Sequence, residues 1–177
     1  VFHIDNPEGG NRGYYRIGRD LDTNGNPSHW DEPIPIPNPY DGFSWENQGC
    51  GITITDLNNN GRPDLIVFYI DNPEGGNRGY YRIGWDLDNT GLAVNGWSEP
   101  IPIPYWFGGE NQGGGITIAN LNGNGRPDLI VFHIDNPEGG NRGYYRVGWD
   151  LDINGYTPNW SEPIPIPLGF GGENQGG

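Results

Sequence analysis

The pattern of apolar and polar positions predicts four extended segments within residues 51–104. Residues 51–55 (GITIT) alternate between apolar side chains and small or polar ones, which is typical of a half-buried strand. Residues 63–70 (PDLIVFYI) form a continuous apolar run, as expected of a central strand covered on both faces. Residues 78–88 and 97–104 follow, and turn sequences rich in Asn and Gly separate the segments. The pattern therefore predicts an all-β, four-stranded unit.

This unit is repeated in tandem. The sequence that begins at Gly51 returns almost letter for letter at Gly115, a period of about 64 residues. We divide the chain into a truncated first repeat, 1–50, which lacks the first strand, and two complete repeats, 51–114 and 115–177. A long period with several strands in each repeat is typical of the blades of a β-propeller.

The fourth strand of each repeat is predicted to lie at the outer edge of its sheet. Pro100, Pro102 and Pro104 alternate with Ile101 and Ile103, so one edge of this strand has no N–H donors. The missing donors also discourage pairing with other chains. We therefore predict that the GITIT strand is innermost and that the two isoleucines pack on the neighbouring repeat.

Three repeats are too few to close a propeller, since propellers have roughly four to eight blades. The chain contains no methionine and begins at Val1. We expect it to be a fragment or a processed product, and part of a larger ring. Further blades from the same polypeptide or from other copies of the chain are expected to complete the ring, with a strand beside Phe2 and Ile4.

Composition and charge restrict the partners. Hydrophobic residues make up 33% of the chain, and seven Trp, ten Tyr and six Phe can supply buried area. The formal net charge of −14 argues against nucleic acid as a partner and favours cations or neutral hydroxylated ligands. The sequence shows no membrane span, so we expect no membrane insertion. Cys50 stands where the next repeat has Gly114, so we expect no disulfide.

The loop after the first strand places oxygen-bearing side chains at a regular spacing. A hard cation such as Ca²⁺ is bound by six to eight oxygens that converge from a short loop, with a Gly at the sharp bend. The pattern predicts a Ca²⁺ site; the alternative is an Asn-rich turn whose side chains bond only their own backbone. The candidate ligands are Asp56, Asn58, Asn60, Asp64 and the backbone carbonyl of Arg62.

The same loop in the third repeat keeps the oxygen donors but has fewer carboxylates. Ligand charge tunes the affinity for Ca²⁺, so we expect weaker binding at this loop. Its candidate ligands are Asn120, Asn122, Asn124, Asp128 and the backbone carbonyl of Arg126.

A second acidic pattern, D-x-D-x-N-G, occurs at residues 20–25 and 150–155. Ser28 and Pro158 stand at the ninth positions, so no carboxylate closes either loop. We interpret this pattern as a strand end followed by a hairpin turn.

The first loop and the strand after it resemble the FG-GAP/VCBS repeat family, whose signature is an Asp- and Asn-rich loop, a Gly, a Pro-Asp pair and an apolar strand. The resemblance implies a β-propeller with Ca²⁺ in these loops. The family includes integrin-type adhesion ectodomains and lectins, so it also implies an extracellular location, secreted or at the cell surface. The matching residues are Asp56, Asn58, Asn60, Gly61, Pro63, Asp64, Leu65, Ile66 and Val67, with equivalents at 120–131.

The hairpin loop between the second and third strands is a candidate binding site. Residues 71–78 recur unchanged at 5–12 and 135–142. Polar loops on a rigid scaffold are a common place for binding, although identical repeats also follow from recent duplication alone. The candidate residues are Asp71, Asn72, Glu74, Asn77 and Arg78.

The segment that joins one repeat to the next combines amides, a carboxylate and an aromatic ring. Such a ring can cover the C–H face of a sugar while planar polar groups bind its hydroxyls. A simple link between blades is the alternative. The candidate residues are Glu46, Asn47, Gln48, Phe107, Glu110, Asn111 and Gln112.

The sequence does not favour an enzyme. Tyr69 stands where the other repeats have His3 and His133, and no Ser or Cys occurs with a plausible base in the repeated pattern. Near-identical repeats are typical of multivalent binding. We predict a non-enzymatic, cation-stabilised propeller that binds carbohydrate or a cell-surface glycan. The alternative is a structural or engineered repeat scaffold without a ligand.

Overall fold

The computed structural model describes residues 1–5, 12–37, 50–71, 78–107, 113–135 and 142–169. Within these ranges the regular elements are β-strands, and none of the described residues forms a helix that could cross a membrane. The strands are β1 (Phe2–Asp5), β2 (Arg12–Tyr15), β3 (Gly18–Arg19), β4 (His29–Trp30), β5 (Ile34–Pro35), β6 (Cys50–Thr55), β7 (Asp64–Asp71), β8 (Arg78–Gly84), β9 (Ile101–Trp106), β10 (Gly114–Ala119), β11 (Asp128–Asp135), β12 (Arg142–Trp149), β13 (Asn159–Trp160) and β14 (Ile164–Gly169).

The second repeat forms a four-stranded antiparallel sheet in the order β6-β7-β8-β9. The GITIT segment lies in β6 at one edge, and the alternating Pro-Ile segment lies in β9 at the other. The predicted strand order is therefore confirmed. The third strand ends at Gly84, earlier than predicted, because the backbone turns at Asp86, which has a φ of 54°.

The strand pairing in the other two repeats differs from that of the second repeat. In the third repeat β10, β11 and β12 form the same antiparallel series, and both β13 and β14 pair with β12. In the first repeat the strands form a sheet β1-β2-β5 and a separate pair β3-β4. Among the described strands only β2 pairs with β1. The chain is thus all-β and built from several antiparallel sheets.

The first strands of the second and third repeats approach each other closely. A Cβ atom built on Gly51, in β6, would lie 3.0 Å from both the Cα of Gly115 and the backbone nitrogen of Ile116, in β10. Ordinary side chains do not fit at this separation, so the two backbones are in direct contact at Gly51.

Alternate residues of β7 face different neighbours. Leu65 and Val67 belong to a buried cluster that includes Tyr15 of the first repeat. Ile66 and Phe68 belong to a second cluster, shared with the third repeat. Since side chains alternate across a strand, β7 is buried on both faces, as its continuous apolar run predicts.

Ile101 and Ile103 pack where the sequence predicted. Both are buried, and both belong to the cluster that contains Leu129 and Val131 of the third repeat. The neighbouring prolines, Pro102 and Pro104, are exposed. The fourth strand therefore joins two sheets through its isoleucines.

One hydrogen bond recurs at both interfaces between repeats. The Tyr15 hydroxyl donates to the carbonyl of Gly91 at 2.6 Å, and the Tyr81 hydroxyl donates to that of Gly155 at 2.7 Å. Burial raises the pKa of both hydroxyls, that of Tyr15 to about 12. Gly155 has a φ of 84°, and a Cβ atom there would collide with the side chain of Ile83, so this turn requires glycine.

Candidate functional site

The loop between β6 and β7 is folded around Asp56. Its carboxylate accepts the backbone N–H groups of Asn60 at 3.0 Å and Gly61 at 2.8 Å. Asn58 Oδ1 accepts the N–H of Asn60 at 3.1 Å, and Asn60 Oδ1 accepts that of Arg62 at 2.9 Å. The oxygens of the three predicted side-chain ligands in this loop are therefore all used to shape the loop backbone.

Asp64 differs from the other predicted ligands because it is fully buried. Its Oδ2 accepts the N–H of Leu57 and its Oδ1 accepts that of Asp86, both at 2.8 Å. Asp128 bonds in the same way to Leu121 and Asp150 in the third repeat. These two aspartates therefore tie each loop to the segment that follows the third strand.

Asp86 closes the site from that segment, and the sequence analysis missed it. Its Oδ1 accepts the side-chain amide of Asn60 at 2.6 Å and that of Asn58 at 3.5 Å, while Asn95 donates to Oδ2. The hydrogen bond from Asn60 is the main reason that the pKa of Asp86 is lowered. The sequence offered one signal, since Asp86 recurs in the third repeat as Asp150. Asp150 accepts hydrogen bonds from the side-chain amides of Asn122 and Asn124 in the same way.

The second acidic pattern forms turns, as predicted. Asp22 Oδ1 accepts the backbone N–H groups of Asn24 and Asn26, both at 2.8 Å. Asp152 accepts two backbone N–H groups on its Oδ1 in the same manner. These carboxylates therefore satisfy their own turns.

The donor atoms of the first loop have the chemistry that a hard cation requires. The carboxylate of Asp56, the amide oxygens of Asn58 and Asn60 and the carbonyl of Arg62 are the oxygen ligands that Ca²⁺ prefers. An oxygen that accepts one N–H keeps a further lone pair. Within the described part of the chain no three His, Cys, Asp or Glu side chains are grouped to hold a metal. Amide and backbone oxygens would therefore supply most of the ligands.

The predicted ligand-binding segments adjoin the opposite end of the sheets. In an antiparallel meander successive links alternate between two ends, so the link from β7 to β8 is opposite the cation loop. Asp71 and Arg78 pair in register at that end, where Arg78 also lies opposite Trp106 of β9. The remaining candidates lie outside the described residues: Glu46, Asn47, Gln48, Asn72, Glu74, Asn77, Glu110, Asn111 and Gln112.

Phe107 is enclosed between the second and third repeats. It is fully buried, with its ring centroid 4.7 Å from that of His133 and 5.8 Å from that of Phe68. The Arg146 guanidinium lies 5.3 Å from the ring centroid. Burial, together with the charge of Arg146, lowers the pKa of His133 to about 4. The ring of Phe107 has no exposed face, so in this structure it packs the interface and is not available to stack on a sugar.

Comparison with known protein families finds a match that begins in the loop between β6 and β7. Residues 56–131 match the family described as FG-GAP-like repeat. This segment, 76 of the 177 residues, is similar to an FG-GAP-like repeat. The matched segment begins at Asp56, after β6, and ends at Val131 in β11, so it contains β7, β8 and β9 of the second-repeat sheet and both candidate cation loops. No curated protein and no solved structure matches the chain.

Asp64→Asn is expected to destabilise the protein. An asparagine keeps one acceptor oxygen and turns its NH₂ group toward the other backbone N–H, so a buried donor loses its partner. Such a loss costs about 1–3 kcal/mol. Urea unfolding monitored by tryptophan fluorescence measures the change in the free energy of unfolding.

Asp152→Asn is the matched control for this prediction. It removes the same charge, but both hydrogen bonds of Asp152 end on one oxygen, which asparagine retains. The free energy of unfolding should therefore change little. Equal destabilisation by the two substitutions would show that charge, and not the buried hydrogen bonds, explains the effect.

Proposed function

We propose that the chain forms part of a β-propeller in which each FG-GAP repeat is one blade. The blades of a propeller are arranged around a central channel, so their first strands converge and their fourth strands diverge. The contact of β6 with β10 at Gly51 and the prolines on the outer edge of β9 support this arrangement. Three repeats are part of a ring, and further blades from the same polypeptide or from other copies of the chain complete it.

We propose Ca²⁺ as the stabilising cofactor. Asp56, Asn58, Asn60 and the Arg62 carbonyl would hold it in the first loop, and the segment from Asn120 to Asp128 would hold it less tightly. Asp86 supports this assignment because it binds the amide NH₂ groups of two asparagines, which leaves their oxygens to the loop. Asn120 replaces a carboxylate, so the second site has the lower charge.

The function proposed for the molecule is non-enzymatic, multivalent binding of carbohydrate, such as a cell-surface glycan, outside the cell. The observation that carries it is that Asp71 pairs with Arg78, and Asp135 with Arg142, at the same end of consecutive sheets, so the repeated polar segments between them begin and end there. Sites repeated on one end of a stack can bind a branched or clustered ligand with added avidity. The net charge of −14 favours a neutral ligand.

A structural scaffold without a ligand is the second candidate function. The burial of Phe107 and the internal hydrogen bonds of Asp56 and Asp64 favour it, because these groups serve the fold in the present structure. The two functions differ in one measurable property, since a scaffold gives no saccharide-specific binding.

Ca²⁺ is expected to raise the melting temperature of the protein. A ligand that binds only the folded state stabilises it by mass action, by about 2.7 kcal/mol at a concentration 100 times Kd. Asp56→Asn should reduce this increase, because it removes the carboxylate of the first loop. Asn120→Asp should enlarge it, because it adds a carboxylate to the second loop. Scanning calorimetry in millimolar Ca²⁺ and in chelator measures both effects.

Asp152→Asn serves as the control for charge, since this aspartate lies in a turn outside the candidate cation loops. Its melting temperature should respond to Ca²⁺ as the wild type does. A wild-type protein and an Asn120→Asp variant that both ignore millimolar Ca²⁺ would show that the loops are turns and that the Ca²⁺ proposal is wrong.

The glycan proposal is tested on a glycan array, followed by titration calorimetry with the saccharide that gives the strongest signal. Replacing Glu8, Glu74 and Glu138 together by Gln changes the repeated hairpin loops. Loss of a charged hydrogen-bond acceptor costs about 1.5–3 kcal/mol, so affinity should fall at least roughly tenfold.

The matched control replaces three exposed glutamates that precede the fourth strand, at the opposite end of the sheets, by Gln. These residues are Glu32, Glu99 and Glu162, and the substitutions change the net charge equally. This variant should bind the saccharide with unchanged affinity. An array without saccharide-specific signal would leave the structural scaffold as the function.

A further inference from the structure

The two outward faces of the stack expose leucines whose counterparts are buried. Leu57, in the second repeat, is 3% exposed, whereas its counterpart Leu121, in the third repeat, is 53% exposed. Leu151, in the third repeat, is 3% exposed, whereas its counterpart Leu21, in the first repeat, is 63% exposed. Leu57 and Leu151 belong to one buried cluster, on opposite sides of an interface. Each outward face therefore presents a leucine whose counterpart is buried at the interface between the second and third repeats.

The hydrogen-bonding groups show the same difference between the internal interface and the outward faces. At the internal interface the Tyr81 hydroxyl donates to the carbonyl of Gly155, and Ile83 covers that glycine. Tyr145 is the counterpart of Tyr81, and its hydroxyl bonds to no described residue. Gly25 is the counterpart of Gly155, and the space around it is open. A donor is thus available on the third repeat, and the matching turn is uncovered on the first.

A tryptophan completes the comparison. Trp160 lies against Tyr81 of the preceding repeat, with ring centroids 6.5 Å apart. Its counterpart Trp30 is 45% exposed. We call Leu21, Gly25 and Trp30 the head face, and Leu121 and Tyr145 the tail face.

We propose that the tail face of one chain docks on the head face of a second copy of this chain and repeats the leucine, tyrosine, glycine and tryptophan contacts of the internal interface. The contact between first strands is not repeated, because the first repeat lacks that strand. The five residues that define the two faces have the same types, in the same positions, as residues that join the second repeat to the third. An interface between two different faces generates either a closed ring or an open polymer. Two copies of the 177-residue chain supply four complete repeats and two truncated ones, within the roughly four to eight blades of propellers, whereas a third copy would bring the number above this range.

The expected assembly is therefore a ring of two chains. This inference rests on the proposed propeller for its closure. None of its residues is a candidate Ca²⁺ ligand or part of the polar hairpins, although Leu121 lies between the candidate ligands Asn120 and Asn122. Leu21 of the head face lies outside both candidate cation loops, so its substitution tests the docking separately from the Ca²⁺ proposal.

Sedimentation equilibrium over a range of protein concentrations tests the inference. The wild-type protein should show twice the 19.5 kDa mass of one chain. Leu21→Arg and Leu121→Arg should each raise the dissociation constant by about 100-fold or more, because each places an unpaired charge in the interface. Both leucines are exposed in the single chain, so circular dichroism should show that the variants are folded. Leu92→Arg is the matched control, since Leu92 is 49% exposed and lies in the second repeat.

A mixture of the two variants distinguishes head-to-tail docking from a symmetric contact. The Leu21→Arg chain keeps its tail face and the Leu121→Arg chain keeps its head face, so mixing them should restore dimers through one intact interface. A symmetric contact between like faces would not be restored by mixing.

Three results decide the proposal. A wild-type mass of 19.5 kDa at every concentration, or a dimer that resists both substitutions, would overturn it. Open polymers sensitive to both substitutions would support the docking and overturn the closure into a ring of two. A monomer that still binds Ca²⁺ and a glycan would overturn this inference and leave that binding function intact.

Discussion

The packing of each sheet on the next is the interaction on which the rest of the structure depends. The central strand β7 buries Leu65 and Val67 against the first repeat, and Ile66 and Phe68 on the side of the third. A single repeat on its own would leave both of these surfaces in water. Stability in such an array comes from interfaces between neighbours as much as from the repeat itself. The tyrosine hydroxyls that reach a turn of the next repeat fix the position of each sheet relative to its neighbour.

Leu57 belongs both to the candidate cation loop and to the packing between neighbouring sheets. Leu57 lies in the loop, its N–H is held by Asp64, and its side chain belongs to the buried cluster that contains Leu151 of the next repeat. A change in the shape of the loop therefore changes the surface on which the next sheet packs. Binding of a cation to the loop oxygens would, through Leu57, strengthen the contact between repeats as well as the loop.

The sequence predicted those features that depend on local pattern. Alternation, the continuous apolar run of β7 and the proline-blocked edge of β9 together defined the strand order and the inward position of Ile101 and Ile103. Asp86 could not be found in this way, because it reaches Asn60 only after the third strand has returned along the sheet. Phe107 was also misplaced as a sugar platform. Trp106 precedes it, and glycines and polar residues follow it. Its burial results from packing between repeats, which local pattern does not show.

The most direct test of this packing compares two equivalent glycines. Gly51 touches the backbone of the next repeat, whereas a Cβ atom on Gly115 would meet nothing within 4 Å. Gly51→Ala should lower the free energy of unfolding in urea by about 1–3 kcal/mol, because the added methyl group overpacks the contact. Gly115→Ala should leave it unchanged or raise it by about 0.4–1 kcal/mol. Equal effects of the two substitutions would contradict the direct contact between β6 and β10.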